Sequence, residues 1–321
     1  MVLTILLIKK VINLMQTTNE CFYKVKKDYF KFLSKEKIYY KSRVDIITSL
    51  KKNYIPLSFW IENQYKKQGK KTLFLGFSGG QGSGKTTIAK ILKIILKKFF
   101  KREVHVSSID DFYKTLKERN QMSIKIHPLF KTRGVPGTHD TGLIKSFFNS
   151  IKRNKFKKFK LPQFDKSIDD RSNKNFWNYV KKKPEIVILE GWCVGAKAQS
   201  SFLLKRSINN LEKHDDQNLV WRKYVNERLK KNYKKIFEMI DNFIFLKIPS
   251  FNSVFKWRLL QENKLRKRSH FKKKIMSRDE IKRFIMFYER ITLQMIKDLS
   301  KSASVVILLK KNHEIKKVLF R

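Results

Sequence analysis

Residues 79–86 read Gly79-Gly80-Gln81-Gly82-Ser83-Gly84-Lys85-Thr86, with Thr87 next, and they fit the phosphate-binding pattern G-x-x-x-x-G-K-[ST]. A triphosphate carries several negative charges, and successive backbone N–H groups converge on them only where no side chain intervenes. Gly79, Gly82 and Gly84 meet that need. Lys85 is expected to set its ammonium against the β and γ phosphates and the Thr86 hydroxyl to ligate Mg2+. The helix that follows would turn its positive N-terminal end to the anion. The flanks give the motif its required setting: residues 71–77 (KTLFLGF) predict a buried strand, and Ile88, Ile91, Leu92, Ile95, Leu96 and Phe99 recur at helical spacing. That context argues against the bland alternative, a glycine turn before an ordinary helix.

The totals place this loop in a globular protein. A chain of 321 residues, 41% of them hydrophobic, can bury one large core or two modest ones. Two cysteines, Cys21 and Cys193, exclude a disulfide framework, the six histidines are scattered, and a reducing, cytoplasmic compartment is expected. The apolar opening at 2–8 is broken by Lys9 and Lys10 and lacks a small-residue cleavage site, so no membrane segment is read there. Residues 1–14 are expected to be a dispensable extension ahead of Met15. The balance of 74 Lys and Arg against 27 Asp and Glu leaves +47, which taken alone suggests nucleic acid or an acidic surface as partner. The lysines, however, fall in nearly every predicted helix and loop, without one basic stripe and without a nucleic-acid motif. The excess reads as compositional bias, and a small molecule is the expected partner.

Short apolar runs at 104–109, 186–189, 243–248 and 304–309 suit strands buried on both faces. They predict an α/β fold, a P-loop NTPase-type three-layer sandwich with a mainly parallel sheet. Residues 1–70 predict an N-terminal helical extension, with helical spacing at 39–53 and 57–65, Pro56 in a first turn and Gly69 at a helix end. Residues 71–321 form the phosphate-loop domain.

The run at 104–109 leads into Asp110-Asp111-Phe112-Tyr113, at the strand end where open α/β sheets place their ligand crevice. Adjacent strand residues point to opposite faces, so one of the pair is expected to face the γ phosphate. Asp110 is the candidate acceptor of a proton from an attacking hydroxyl, and Asp111 would ligate metal or hold the loop; the alternative is a pair of turn formers. Residues 111–140 read as a long irregular segment ending in Arg133-Gly134-Val135-Pro136-Gly137-Thr138-His139-Asp140. This is either a substrate-contacting loop or a Pro-Gly turn with a Thr or Asp cap for a helix at 143–151. Mixed charges follow at 161–166 (LPQFDK) and Asp169-Asp170-Arg171. The run at 186–189 ends in Glu190, the shape of a second acidic residue ordering Mg2+, or an ordinary strand end. Residues 255–268 predict a basic helix with Trp257, Arg258, Gln261, Glu262, Arg266 and Arg268. It is a lid near 255–276 whose arginines close over the phosphoryl group, or a helix on which Arg258 and Glu262 simply pair. Ser277-Arg278-Asp279-Glu280 reads as a capping box for a core helix through Leu299.

Taken together, GGQGSGKTT, SIDDFY, RGVPGTHD, LPQFDK, ILEGWCVGAK, WRLLQE and FYERIT resemble the D-glycerate 3-kinase family, phosphate-loop kinases related to uridine kinase, phosphoribulokinase and one type of bacterial pantothenate kinase. The likeness runs from about Pro56 to the last strand. It implies an ATP-dependent kinase that phosphorylates the primary hydroxyl of D-glycerate to give 3-phospho-D-glycerate, with ATP and Mg2+ as cofactors. ATP would lie on Gly79, Gly80, Gln81, Gly82, Ser83, Gly84, Lys85, Thr86 and Thr87, and the metal on Thr86, Glu190 and Asp111. Asp110, Lys85 and Arg258 would carry the chemistry, while Arg133, Thr138, His139, Asp140, Asp165, Lys166 and Arg171 would face the substrate. A glycerate carboxylate needs cationic partners, and Arg133, Lys166 and Arg171 supply them. Two alternatives stay open: a kinase of the same fold acting on a nucleoside, pantothenate or another alcohol, and an NTP-binding protein associated with nucleic acid. The chain departs from the family in three places. Gly80 stands where many relatives have proline, Lys272 to Lys274 precede Met276-Ser277 where glycine is expected, and the first 50 or so residues carry no family motif.

Overall fold

A strand covered on both faces loses nothing by being apolar throughout, and the apolar runs at 71–77, 186–189, 243–248 and 304–309 lie inside the sheet, whereas the run at 104–109, expected to be buried on both faces, forms a partly exposed edge strand. The computed structural model describes residues 2–69, 71–153, 155–268 and 276–321, with side chains described outside 2–14 and 264–268. The strands in chain order are β1 (Leu73–Gly79), β2 (Val104–Ser108), β3 (Phe159–Leu161), β4 (Phe164–Asp165), β5 (Asp170–Arg171), β6 (Asn178–Val180), β7 (Ile186–Gly191), β8 (Asn242–Lys247), β9 (Val305–Leu309) and β10 (Ile315–Phe320). Six of them form one sheet in the order β10-β9-β8-β1-β7-β2, while β3 with β6 and β4 with β5 make small ribbons. β1 runs parallel to β8 and β8 to β9, and β10 returns antiparallel along β9. Every residue of β1 and β7 is buried. β10 has no fully buried position, which is why no apolar run announces it.

The chain packs as two compact units, Met1–Leu73 with Thr86–Val106 and Pro184–Val187, and Phe74–Lys85 with Ser107–Lys183 and Ile188–Arg321. In the first, the helix Val2–Lys35 buries Cys21, Phe22, Val25, Tyr29 and Leu33 along one face. The helix Ile55–Lys67 has Pro56 in its first turn and is followed by Gly69 at φ +63. The helix Lys85–Lys98 turns Ile88, Ile91, Leu92, Ile95 and Leu96 inward. Glu62, only 4% exposed, would be a costly buried charge on its own; Arg102 grips both its oxygens at 2.8 and 2.6 Å and donates to Glu185 at 3.0 Å.

In the second unit, the capping box of Ser277 and Glu280 starts the helix Arg278–Ser302, which buries Ile281, Ile285, Tyr288, Ile291, Met295 and Leu299. Buried ion pairs brace that helix. Arg290 holds Glu212 at 2.7 and 2.6 Å, and the fully buried Arg222 holds Asp216 at 2.8 Å.

Two local readings are corrected. β2 ends at Ser108, whose hydroxyl caps a 3-10 turn, Ile109–Phe112, by accepting from the Asp110 amide at 3.3 Å. Asp110 and Asp111 therefore lie in a turn, and strand alternation does not separate them. Nor is 111–140 irregular: a capping box of Thr115 and Glu118 starts the helix Leu116–Lys125, and the turn Pro128–Lys131 follows. That helix buries only Arg119 and Met122, so it has no apolar stripe to read. The basic helix spans Phe251–Arg268; the side chains of Arg266 and Arg268 and the Lys272 to Lys274 run lie outside the described residues.

Candidate active site

The loop after β1 takes its shape from backbone that only glycine adopts easily. Gly82 and Gly84 sit at φ +72 and +91, and a Cβ at Gly79 would stand 2.7 Å from Leu246 Cβ on the neighbouring strand. A Cβ on Gly84 would meet nothing within 4 Å, so open space borders the loop there. Beside it the Ser83 hydroxyl is buried with no hydrogen-bond partner among the described residues. An open, glycine-lined turn with an unspent buried hydroxyl fits a phosphate group. Lys85 is buried and its ammonium donates to the Gly80 carbonyl at 3.0 Å. Burial lowers its pKa, while the carboxylates of Glu190 and Asp110 pull the other way and Lys166 adds to the lowering. Thr86 and Thr87 follow in the first turn of the helix Lys85–Lys98.

Facing that loop charge is a group of carboxylates. Glu190 closes β7 and is 4% exposed. Burial first, then the charges of Asp110 and Glu190, push the Asp111 carboxyl up to about 6. Asp110 and Glu190 thus both act on the Asp111 charge. Among the described residues no group of three or more His, Cys, Asp or Glu stands at metal-binding distance. Mg2+ usually takes only one or two carboxylates and fills its octahedron with phosphate oxygens and water, so the set fits that metal. Burial opposes the charge on Asp110, but Lys166 and Tyr113 outweigh it and hold its carboxyl below the usual range. Lys166 Nζ donates to Asp110 Oδ2 at 2.8 Å, and the Tyr113 hydroxyl donates to Oδ1 at 2.8 Å. Burial and the Asp110 charge keep the Tyr113 phenol protonated, with a pKa far above its ordinary value.

Two segments are tied to the Asp110 turn. Residues 133–140 are zipped to it by an antiparallel bridge between Tyr113 and His139, with Lys114 N donating to Thr138 O at 2.8 Å and Asp140 N to Phe112 O at 2.7 Å. The Thr138 hydroxyl is spent on its own loop, donating to Val135 O at 2.7 Å and accepting from Gly134 N at 3.0 Å. Gly134 lies at φ +128, where any Cβ would overlap the Tyr288 hydroxyl; that hydroxyl donates to Arg133 O at 3.1 Å. His139 stacks on Tyr113 with ring centroids 4.6 Å apart. The Tyr233 hydroxyl accepts from Gly137 N at 3.0 Å and lies 2.6 Å from His139 Nδ1. Burial drives the His139 pKa down to about 4, so the ring is neutral.

The second segment, β4, its turn and β5, is strapped down by ions. Asp169, in the left-handed region at φ +55, pairs with Arg133 and with the fully buried Arg119, which also donates to Lys131 O at 2.8 Å. Asp170 accepts from Leu116 N at 2.8 Å, and Arg171 donates to Tyr113 O at 2.8 Å. On the other side of the loop, the helix Phe251–Arg268 packs at Gly82, where a Cβ would stand 3.1 Å from Trp257. Trp257 stacks on His313, and His313 Nε2 lies 2.9 Å from Gly82 O.

With that geometry in place, comparison with known proteins is informative. No family model matches the chain. Over 238 residues, 71% of this chain and 82% of the other, it is 34% identical to the uncharacterized kinase mug58 of Schizosaccharomyces pombe. It is 28% identical over 251 residues to the chloroplastic D-glycerate 3-kinase of Arabidopsis thaliana, covering 73% of this chain and 52% of that one. The chain belongs to the D-glycerate 3-kinase family. A D-glycerate 3-kinase from Cryptococcus neoformans, 21% identical, shares the fold, with a TM-score of 0.71 over 84% of this chain and 99% of that one. This family member is thus a phosphate-loop kinase, a nucleotide-binding phosphotransferase with a small-molecule acceptor. None of its described helices is long and apolar enough to cross a membrane.

In this kinase the residues singled out from sequence fall into three groups. Lys85, Asp110, Asp111, Glu190 and Lys166 come together, near enough to perturb one another's charge. Others frame the site: Thr138 and His139 as above, Asp140 capping the helix Thr141–Lys152 through Leu143 N at 2.9 Å, and Asp165 capping its own turn through Ser167 N at 2.8 Å. Arg133 and Arg171 are held by Asp169 and by Tyr113 O. Arg258 pairs with Glu262 and lies over Phe284, 5.4 Å from the ring centroid. The residues that sequence reasoning passed over are Tyr113, Arg119, Asp169, Tyr233 and Tyr288. Tyr113 adjoins the chosen Asp pair and Tyr288 lies within the FYERIT segment, whereas Arg119 and Tyr233 carry no local signal.

Proposed function

We propose that this chain is an ATP- and Mg2+-dependent kinase that phosphorylates the primary hydroxyl of D-glycerate to 3-phospho-D-glycerate. The observation that carries the reading is the Lys166–Asp110 contact: a cation stands on the candidate base, and Arg133 and Arg171 lie on the segments tied to it. A small acid with an alcohol two carbons from its carboxylate matches that spacing of charge in kind, and the plant relative named for this reaction supports it.

In this reading residues 71–321 form the kinase domain and 1–70 an N-terminal extension. The loop from Gly79 to Thr87 binds the triphosphate, with Lys85 exchanging its Gly80 carbonyl for phosphate oxygens. Thr86, Asp111 and Glu190 would hold Mg2+, which would supply charge neutralisation at the phosphates. Asp110 receives the alcohol proton as the oxygen attacks the γ phosphorus. Lys166, Arg133 and Arg171 hold the acceptor's carboxylate, and Thr138, His139, Asp140 and Asp165 keep the wall in shape. Arg258, on the lid helix, would reach the phosphoryl group by leaving Glu262. The free, buried thiols of Cys21 and Cys193 suit a reducing, cytoplasmic compartment.

ADP release on adding D-glycerate, with the product's phosphate located by NMR at the primary carbon, tests the assignment. No turnover with D-glycerate would reject it. Asp110→Asn is expected to lower turnover by about 10^2- to 10^4-fold, the range for losing a general base, with ATP affinity preserved. Near-normal turnover of that variant would remove Asp110 from the role.

A further inference from the structure

Both oxygens of Asp110 already have donors. Tyr113 occupies Oδ1 and Lys166 occupies Oδ2, each at 2.8 Å. The two donors differ in freedom. Tyr113 is 4% exposed and stacked on His139, whereas the Lys166 side chain is 61% exposed. The turn that carries Lys166 is held without it, by Asp165 on Ser167, by Asp169 on Arg119 and Arg133, and by Asp170 on Leu116 N. Lys166 can therefore swing away from Asp110 while its backbone stays in place.

We propose that Lys166 is a specificity-determining latch: it covers the oxygen of Asp110 that must receive the alcohol proton, and only an acceptor with its own carboxylate draws it off. The inference rests on Asp110 as proton acceptor and on the anionic acceptor argued above. In the reaction, the alcohol O–H bond breaks and the proton passes to Asp110 Oδ2. The alcohol oxygen forms a bond to the γ phosphorus, and the bond from that phosphorus to the β–γ bridging oxygen breaks with its electron pair leaving on ADP. Water could take the alcohol's place and waste ATP as ADP and phosphate. Water and neutral alcohols offer Lys166 no anion, so Oδ2 stays covered. A carboxylate close to the hydroxyl gives the ammonium a second partner just when the hydroxyl needs Oδ2. Recognition of the acid and uncovering of the base become one event.

The test uses the full chain with ATP and Mg2+, measuring ADP release without acceptor, with D-glycerate and with glycerol, which lacks the carboxylate. Lys166→Gln is expected to raise acceptor-free hydrolysis about tenfold. It should also raise the KM for D-glycerate at least about tenfold, as for loss of a charged contact, and shrink the preference for D-glycerate over glycerol. Lys166→Arg should keep hydrolysis low. Adding Asp110→Asn to Lys166→Gln should abolish the extra hydrolysis, which ties the leak to the uncovered carboxylate. Unchanged hydrolysis in Lys166→Gln would overturn the latch, leaving Lys166 as a binding contact alone, and so would a leak that survives Asp110→Asn. If the wild type does not phosphorylate D-glycerate, the substrate assignment fails, while the hydrolysis comparison still decides the latch.

Discussion

The loop at 79–85 keeps its form with backbone: Gly82 and Gly84 supply the left-handed turns, and Gly79 lies against Leu246 on the next strand. The strap at 164–171 keeps its form with side chains that reach far along the chain. Asp169 meets Arg133 and Arg119 across 36 and 50 residues, Lys166 meets Asp110 across 56, and Arg171 meets Tyr113 across 58. Nucleotide chemistry is the same for every acceptor, so a self-contained loop suffices for it. If, as proposed, the strap is the acceptor wall, exchangeable ion pairs let it be re-cut for another substrate by changing a few side chains, at the cost of depending on each of them.

Removing a strap anchor should therefore do the most damage, and do it on the acceptor side. Arg119→Met leaves the Asp169 carboxylate one partner short and strips a donor from Lys131 O. We expect a loss of about 3 kcal/mol of stability by urea unfolding, at the low end of the range for breaking a buried pair, since Arg119 is buried but the Asp169 side chain is 40% exposed. The acceptor KM should rise well before that for ATP. Equal shifts in both would mean that strap and loop are one cooperative piece.

Acid should loosen the acceptor side next. The His139 pKa falls from an ordinary value near 6.5 to about 4 in the folded protein, because the ring is buried. The unfolded chain thus binds more protons between these values, so the stability this ring contributes is fully present above about 6.5 and is lost as pH falls toward 4. By pH 5 the loss is about 2 kcal/mol. His105, also driven down to about 4 by burial, adds to the slope. His139→Asn should flatten the stability profile between pH 5 and 6.5; an unchanged slope would mean that the ring is not buried neutral.

The smallest effect is expected where a side chain touches the self-supporting loop. His313→Ala removes the 2.9 Å contact to Gly82 O and a stack on Trp257. It should raise the ATP KM only about threefold and cost no more than about 1 kcal/mol. A hundredfold loss of nucleotide affinity would show that the loop leans on its neighbours after all.

The same contrast explains what could be read in advance. The phosphate loop, the buried strands and the Ser277 capping box are local patterns, complete within a few residues. Glu190 was legible because a lone charge ended an apolar run. The helix Leu116–Lys125 was not, since its main anchor is a buried guanidinium, and β10 was not, since it is half exposed. Asp169 looked like one more acid in a mixed run; its importance exists only once Arg119 and Arg133 have been brought to it.

The ammonium of Lys85 rests on a carbonyl of the very turn it serves. The loop itself thus holds the ammonium in place, and in the proposed reading a triphosphate would trade one oxygen ligand for another without having to organise the cradle first. Little ordering entropy would then be spent at the moment of capture, leaving most of the attraction to express itself as affinity.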